Sequence, residues 1–454
     1  MKLLISLFLL LMAALPVQAQ TPGNIATSFA FTNVNVIPMD EERILENYTV
    51  LVDDGRITDL GPSGEITIPD GAQIIDGTGK YLMPGLAEMH GHVPPTHPSP
   101  NMPAYFNDEY VESTLFLYVA AGITTVRGML GYEHQLELKD RVNTGELIGP
   151  NLYLAGPSFN GNSINSPEES RDKVRQQKEE GWDLLKVHPG LTRAEYDAMA
   201  ETANEIGIPF GGHVPDEVGI VHALEMGQQT MDHIDGYYAY LQKFEKSERE
   251  AEMKEIVAKT KEAGAWIIPT QALWETIIGA GDYDAMKQYD ELKYIPKAVI
   301  SNYHNFVGNN IENNPNLDLQ EAQEHAEWRR KILQEMNQQG VLILMGTDAP
   351  QLFSVPGFSI HRELPYMEEA GMSAYEIIKT GTANVGVYFA DEDDFGTIAK
   401  GKRADLVLVD ENPLQNLAHI QQHSGVMVQG KWYSKDMIDT KLKEIEEYYS
   451  ETQR

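Results

Sequence analysis

Tyr81-Leu-Met-Pro-Gly-Leu-Ala-Glu-Met-His90-Gly-His92 is the stretch whose reading decides the fold. An apolar run leaves a Pro-Gly turn and ends in two histidines spaced i, i+2. On a β-strand that spacing places both imidazoles on one face. Two neutral imidazoles at a strand end suit a divalent metal such as zinc. A His-x-His pair also arises by chance, so the reading stands or falls on further ligands elsewhere in the chain.

Beyond this stretch, short apolar strands alternate with amphipathic helices, the pattern of a parallel α/β architecture. The strand candidates are Gly122–Arg127, Asn151–Ala155, Leu184–Val187, Ile208–His213, Thr230–His233, Ala265–Pro269 and Val341–Gly346. With the His-x-His strand they number eight, which predicts a (β/α)₈ barrel over residues 81–394. One intervening helix opens at Thr192 with a Thr192–Glu195 capping box. Residues 236–339 hold a single strand among long charged helices and read as a helical insertion. Both chain ends are different in kind. Residues 20–80 carry β-branched and aromatic runs punctuated by Asp53-Asp-Gly and Pro62-Ser-Gly turns. A matching pair, Ala404–Asp410 and Gly425–Tyr433, lies within residues 395–434. Neither set makes a second layer alone, so the two are expected to form one small β-sandwich domain. Residues 435–454 read as a solvated C-terminal helix.

The 454 residues suffice for a large core. Against 35 Lys and Arg stand 68 Asp and Glu, a formal charge of −33. Such a balance argues against nucleic acid or an anionic membrane surface as a partner; the partner expected is a small-molecule substrate. Self-association stays open. There is no cysteine, so thiolate ligands and a cysteine nucleophile are excluded, and any metal must sit on His, Asp, Glu or Lys. Residues 1–19 read as a signal peptide: Lys2, an apolar run from Leu3 to Leu15, and Val17-Gln-Ala19 before a cut at Gln20. That run is short for a membrane span. The expectation is an exported chain without a stable membrane anchor, periplasmic or secreted.

In a barrel, catalytic groups sit at the C-terminal ends of the strands. Lys186, His213, His233 and Asp348 each terminate a predicted strand, as His90 and His92 do. Here the sequence resembles the amidohydrolase superfamily, through Met83-Pro-Gly-Leu-Ala-Glu-Met-His-Gly-His, Gly122-Ile-Thr-Thr-Val-Arg, Gly346-Thr-Asp-Ala-Pro and Gly396-Thr-Ile-Ala-Lys-Gly-Lys-Arg-Ala-Asp-Leu-Val. Within it the chain is similar to the imidazolonepropionase-related amidohydrolases that include Xaa-Pro dipeptidases. The resemblance implies two divalent metal ions, with zinc the first choice. His90, His92 and Asp348 would hold one and His213 and His233 the other, bridged by Lys186 carboxylated with CO₂. The chemistry is consistent: an ammonium facing two dications has no lone pair to give, whereas a carbamate is an anionic oxygen ligand. Paired metals bring a bridging water to hydroxide near neutral pH, with Asp348 moving the proton to the leaving nitrogen.

Related deaminases lack the lysine on strand four and carry a glutamate three residues past the strand-five histidine. That position is Asp216 here, and Lys186 is present, so the hydrolase pattern fits better. Many relatives have Val-Arg-Asp after strand two where this chain has Val126-Arg127-Gly128. Arg127 remains a candidate for orienting a substrate carboxylate. His188, Tyr237, Tyr238 and His361 are further candidates for substrate contact, each with a packing role as the plainer reading; His97 reads as a surface histidine. The expected activity is metal-dependent hydrolysis of an amide, in a dipeptide of the prolidase type or an N-acyl amino acid. A cyclic-amide or lactone hydrolase with the same metals is the first alternative, and a non-catalytic binding protein on the same barrel the second.

Overall fold

The computed structural model describes residues 27–95 and 106–451. The expected signal peptide and His97 lie outside them. Five strands open the described chain: β1 Ser28–Val36, β2 Leu45–Asp53, β3 Arg56–Pro62, β4 Gln73–Asp76 and β5 Tyr81–Pro84. Eight short ones follow in the centre: β6 Leu86–Gly91, β7 Ile123–Gly128, β8 Asn151–Leu154, β9 Leu185–Val187, β10 Phe210–Gly212, β11 Thr230–Asp232, β12 Trp266–Ile268 and β13 Leu342–Ile343. The last three are β14 Leu406–Val409, β15 His423–Val428 and β16 Lys431–Ser434.

Strands from the two chain ends share one sheet in the order β16-β15-β14-β5-β1-β2-β3, with β4 parallel to β1. The β2–β3 hairpin turns on Asp54 and Gly55, at φ 47° and 71°. A two-residue hairpin with both central residues left-handed matches the twist of the strands, and Asp-Gly tolerates it. The join between the ends is antiparallel, Tyr81 opposite Val409 and Pro84 opposite Leu406. Phe29, Phe31, Val34, Leu82, Leu406, Leu408 and Met427 share one core, with the Trp432 ring edge-on to Phe31 at 5.3 Å.

The central strands are all parallel, in a sheet β6-β7-β8 and a sheet β13-β12-β11-β10-β9. Ala155 bridges Leu184 between β8 and β9. On the other side Met89 N donates to Met345 O at 2.9 Å and Asp348 N to His90 O at 2.7 Å. All six residues of β6 and all six of β7 are buried, as is usual for all-parallel strands, which are covered on both faces. Close approach here requires Gly346. A Cβ there would lie 2.5 Å from Ile268 Cγ2 and 2.9 Å from the His90 amide nitrogen.

The helix Arg193–Ile206 starts with the expected capping box, Thr192 and Glu195 each bonding the other's backbone. Between residues 236 and 339 β12 is the one strand among the described elements and the rest is helices and their connections, with Arg249–Glu262, Lys297–Ile311 and Leu319–Gln339 the longest helices. The terminal helix Lys435–Glu451 is less solvated than its sequence suggests. It buries Ile438, Ile445 and Tyr449, and the Tyr449 hydroxyl lies 2.7 Å from Ser113 Oγ. Among the described residues no helix is long and apolar enough to cross a membrane.

Candidate metal and active site

β6 runs straight on from β5 and delivers His90 at its end, with His92 two residues on. His90 is fully buried and His92 partly so. Ligand atoms of His90, His233 and Asp348 all lie within 4.8 Å of one another, a grouping able to hold a metal ion. His92 Nε2 is 2.5 Å from Asp348 Oδ1. The His213 ring lies 4.5 Å from that of His233, and the His90 ring 4.4 Å from it on the other side. Lys186, fully buried on β9, brings Nζ to 3.1 Å from His90 Nε2. All six side chains singled out in the sequence therefore come together.

Backbone conformation aims two of them. His233 has φ 63° and Asp348 φ 64°, both in the left-handed region that a residue with a Cβ rarely adopts. His233 follows β11 directly and Asp348 lies in the loop beyond β13. Hydrogen bonds then fix the rings. Asp235 Oδ2 sits 2.5 Å from His213 Nδ1, and Thr270 Oγ1 sits 2.7 Å from His233 Nδ1. Both contacts engage Nδ1 and leave Nε2 for a ligand. The Nε2 of His233 is buried without a hydrogen-bond partner, the condition expected of an atom meant for a cation.

Burial drives the His90 and His233 imidazoles neutral, which metal ligation needs. Burial and the charge of Lys186 push His90 down to about 4, and burial, with His90 next, holds His233 well below its ordinary value. Burial also lowers the Lys186 ammonium to about 8. Desolvation pushes the Asp348 carboxyl up, but His90 and His92 outweigh it and hold the group well below the usual carboxylate range. It stays an anionic base.

Several residues of the site carried no signal in the sequence reading. Asp232, directly before His233, is wholly buried with Oδ2 2.7 Å from His90 Nδ1 and 3.8 Å from Arg127 Nη1. The His90 contact is close yet poorly aligned, and neither Asp232 oxygen completes a hydrogen bond. Glu88 accepts from Thr347 N at 2.7 Å, from the Thr347 hydroxyl and from His90 N at 3.1 Å, tying β6 to the loop bearing Asp348. Arg329, from the helix Leu319–Gln339, donates to His233 O at 2.6 Å.

The substrate-contact candidates fare unevenly. His188 stacks on His213 with ring centroids 5.1 Å apart, so it borders the cluster. Arg127 does not sit on a substrate-facing loop. It is 0% exposed and donates to Met89 O at 3.1 Å and Thr230 Oγ1 at 3.0 Å, which makes it an internal strut. Tyr237 is likewise 0% exposed, its hydroxyl 2.7 Å from Thr260 Oγ1, and belongs to the core. Tyr238 stacks on His325 at 4.1 Å. His361 faces a separate cavity bounded by Glu275, Arg330 and Arg362. Asp216, in the loop after β10, is exposed.

Neutral imidazoles, a carboxylate and a lysine converging at the C-terminal ends of parallel strands make a donor set of the kind divalent cations take in α/β enzymes. The chain belongs to the amidohydrolase family, which residues 81–433 match. That family implies a TIM barrel with an additional domain. The chain is 22% identical over 355 residues to an ochratoxinase of Aspergillus niger, covering 67% of this chain and 63% of that relative. It is 23% identical over 413 residues to a 5-methylthioadenosine/S-adenosylhomocysteine deaminase of Caldanaerobacter subterraneus subsp. tengcongensis, covering 84% of each. Among solved structures, a Xaa-Pro dipeptidase with methionine bound in its active site matches with a TM-score of 0.68 at 20% identity, over 90% of this chain and 100% of that one. A bottromycin amidohydrolase matches with a TM-score of 0.72 at 20% identity, over 94% and 91%. At these identities the structures speak for the fold.

Proposed function

We propose that this chain is a metal-dependent amidohydrolase that cleaves the amide bond of a dipeptide, as a prolidase does, or of an N-acyl amino acid. The observation that carries the reading is the buried convergence of His90, His233 and Asp348 within 4.8 Å, with Lys186 Nζ 3.1 Å from His90 Nε2. As an ammonium, Lys186 occupies the nitrogen a metal would need. Carboxylated, it would offer an anionic oxygen ligand instead of an ammonium; with it, His90, His92 and Asp348 would hold one ion and His213 and His233 the other. Two divalent ions so held, zinc first among them, would supply hydroxide near neutral pH and polarise the scissile carbonyl. Asp348 takes the proton of the attacking water and delivers it to the departing nitrogen as the C–O bond forms and the C–N bond breaks. Asp235 and Thr270 keep the His213 and His233 rings oriented throughout.

The two parallel sheets belong to one (β/α)₈ barrel in this reading, supported by the Ala155–Leu184 bridge and by the Met89–Met345 hydrogen bond. Residues 236–339 are its helical insertion, and the sheet built from both chain ends is the second domain. Export belongs to the proposal as well: N-terminal sequencing of the protein isolated from its source should begin at Gln20, and a start at Met1 would refute it. For activity, zinc-loaded protein is presented with dipeptides, N-acyl amino acids and lactones. Amide cleavage is expected, and turnover of lactones alone would sink the reading.

A further inference from the structure

A cavity of about 230 Å³ adjoins His92, walled by Val93, Leu130, Tyr132, Val299, Tyr303 and Pro350. Among the described residues no Asp, Glu, Lys or Arg side chain lines it. In a chain of formal charge −33 that is a selective absence. The cavity around His361 is lined by Glu275, Asp282, Arg330, Arg362 and Glu369, and the one near Lys173 by Glu133, Glu169, Asp172 and Glu180.

Its position ties it to the reacting bond. His92 is 2.5 Å from Asp348, and Pro350 follows Asp348 by two residues. The Tyr118 hydroxyl donates to Ala349 O at 2.8 Å and to His92 O at 3.3 Å, locking these two walls together. The opposite wall comes from the helix Lys297–Ile311, whose Val299 and Tyr303 lie one turn apart and are buried. Benzene fills an apolar cavity of roughly 150 Å³, so this one takes a single ring with its linking carbon. A charged group here would shed its hydration and meet no counter-charge.

We propose that this cavity is a substrate subsite for an uncharged, ring-sized apolar group, an aromatic side chain or a prolyl ring, borne next to the scissile amide. The inference rests on the amide-hydrolase reading. It adds that the inserted helix Lys297–Ile311 determines specificity.

The test compares N-acetyl-L-phenylalanine, N-acetyl-L-proline, N-acetylglycine, N-acetyl-L-aspartate and N-acetyl-L-lysine, by calorimetric binding to the full-length protein and as substrates of the zinc-loaded protein. Burying such a ring contributes roughly ten- to a hundred-fold in affinity or kcat/KM. The phenylalanine or proline compound should therefore exceed the glycine compound by at least tenfold, and the two together show which ring fits better. Val299→Trp, which fills the space, should erase that advantage, bringing the phenylalanine and proline compounds down to the level of the glycine compound. Asn302 also lines the cavity; Asn302→Asp, which puts a carboxylate on that wall, should shift preference towards the lysine compound and serves if the tryptophan variant folds poorly. Equal handling of all five compounds, or a preference unmoved by both substitutions, would overturn the subsite. Ring-selective binding without hydrolysis would keep the subsite and remove the hydrolase reading. Hydrolysis without ring selectivity would do the reverse.

Discussion

Lys186 governs whether His90 can act as a ligand, because its Nζ lies 3.1 Å from the one His90 nitrogen that Asp232 does not approach. Lys186→Ala should release that nitrogen but delete the bridging donor. Metal content measured by elemental analysis should fall together with activity, and full activity without the lysine would exclude the bridging role. Asp232 works from the other side of the ring. Its carboxylate charge, 2.7 Å from Nδ1, electrostatically favours a proton there and so leaves Nε2 bare. Asp232→Asn should weaken zinc retention roughly 10- to 100-fold in a competition titration against a chelator, the usual loss for an outer partner of a histidine ligand. Unchanged retention would reduce Asp232 to a packing element. The six grouped residues were legible because each is a metal-type donor ending a predicted strand. Asp232 was not legible: in a regular strand it would face away from its neighbour His233. The left-handed turn at His233 breaks the alternation and lets both face inward. Arg127 and Tyr237 misled for the opposite reason. Arginine and tyrosine near a site read as substrate contacts, and only burial shows that they serve the interior.

Between elements, the helices of the insertion act on the site through buried polar groups. Arg329 donates to Gln271 Oε1 at 2.9 Å, His233 O at 2.6 Å and Pro269 O at 3.1 Å, with its guanidinium 5.0 Å from the Trp274 ring centroid. Within a helix rich in Glu, Gln and Arg it looks like one more solvated charge, which is why sequence periodicity passed over it. Arg329→Met would strand buried acceptors and should lower unfolding stability by about 2–4 kcal/mol in urea titration; a change within error would show that water replaces it. Glu363 is the pH-sensitive counterpart. Its carboxylate accepts from Gln271 N at 2.9 Å and Ala272 N at 3.0 Å, capping the helix Gln271–Ile277. Burial nevertheless pushes it from 4.5 to about 7. An acid with a raised folded value binds its proton more tightly when folded, so its contribution to stability declines as pH rises from about 4.5 to about 7 and is level above that. At roughly 1.4 kcal/mol per unit, the stability of the native protein relative to Glu363→Gln should fall by about 3 kcal/mol across this window. A difference that does not vary with pH would mean that Glu363 stays ionised throughout.

At the scale of the molecule, the two chain ends hold the strand that carries the first ligands. β5 lies between β14 and β1 and passes through Gly85 directly into β6, so the sheet and the cluster of candidate ligands share one continuous backbone. That the ends belong together was legible, since each carried alternating strands without a layer to cover them. The order was not, because sequence patterns say which strands need partners and leave β14 free to pair with several. Magnitudes separate two truncations. Ending the chain after Phe395 removes β14, whose Leu406, Val407, Leu408 and Val409 are each about 1% exposed or less. At roughly 1.5–3 kcal/mol per side chain, their burial alone contributes about 6–12 kcal/mol, comparable with the whole stability of an ordinary domain. Leu82 and Met83 on β5 would be uncovered as well. Ending after Ser434 removes only the terminal helix with Ile438, Ile445 and Tyr449. The two isoleucines contribute about 3–6 kcal/mol, so this shorter loss should leave a folded protein of lower melting temperature that still retains zinc. Circular dichroism and metal analysis of both products give the check. The first should show no cooperative transition and no bound zinc; a cooperative, zinc-retaining product would mean that the metal cluster stands without the sheet.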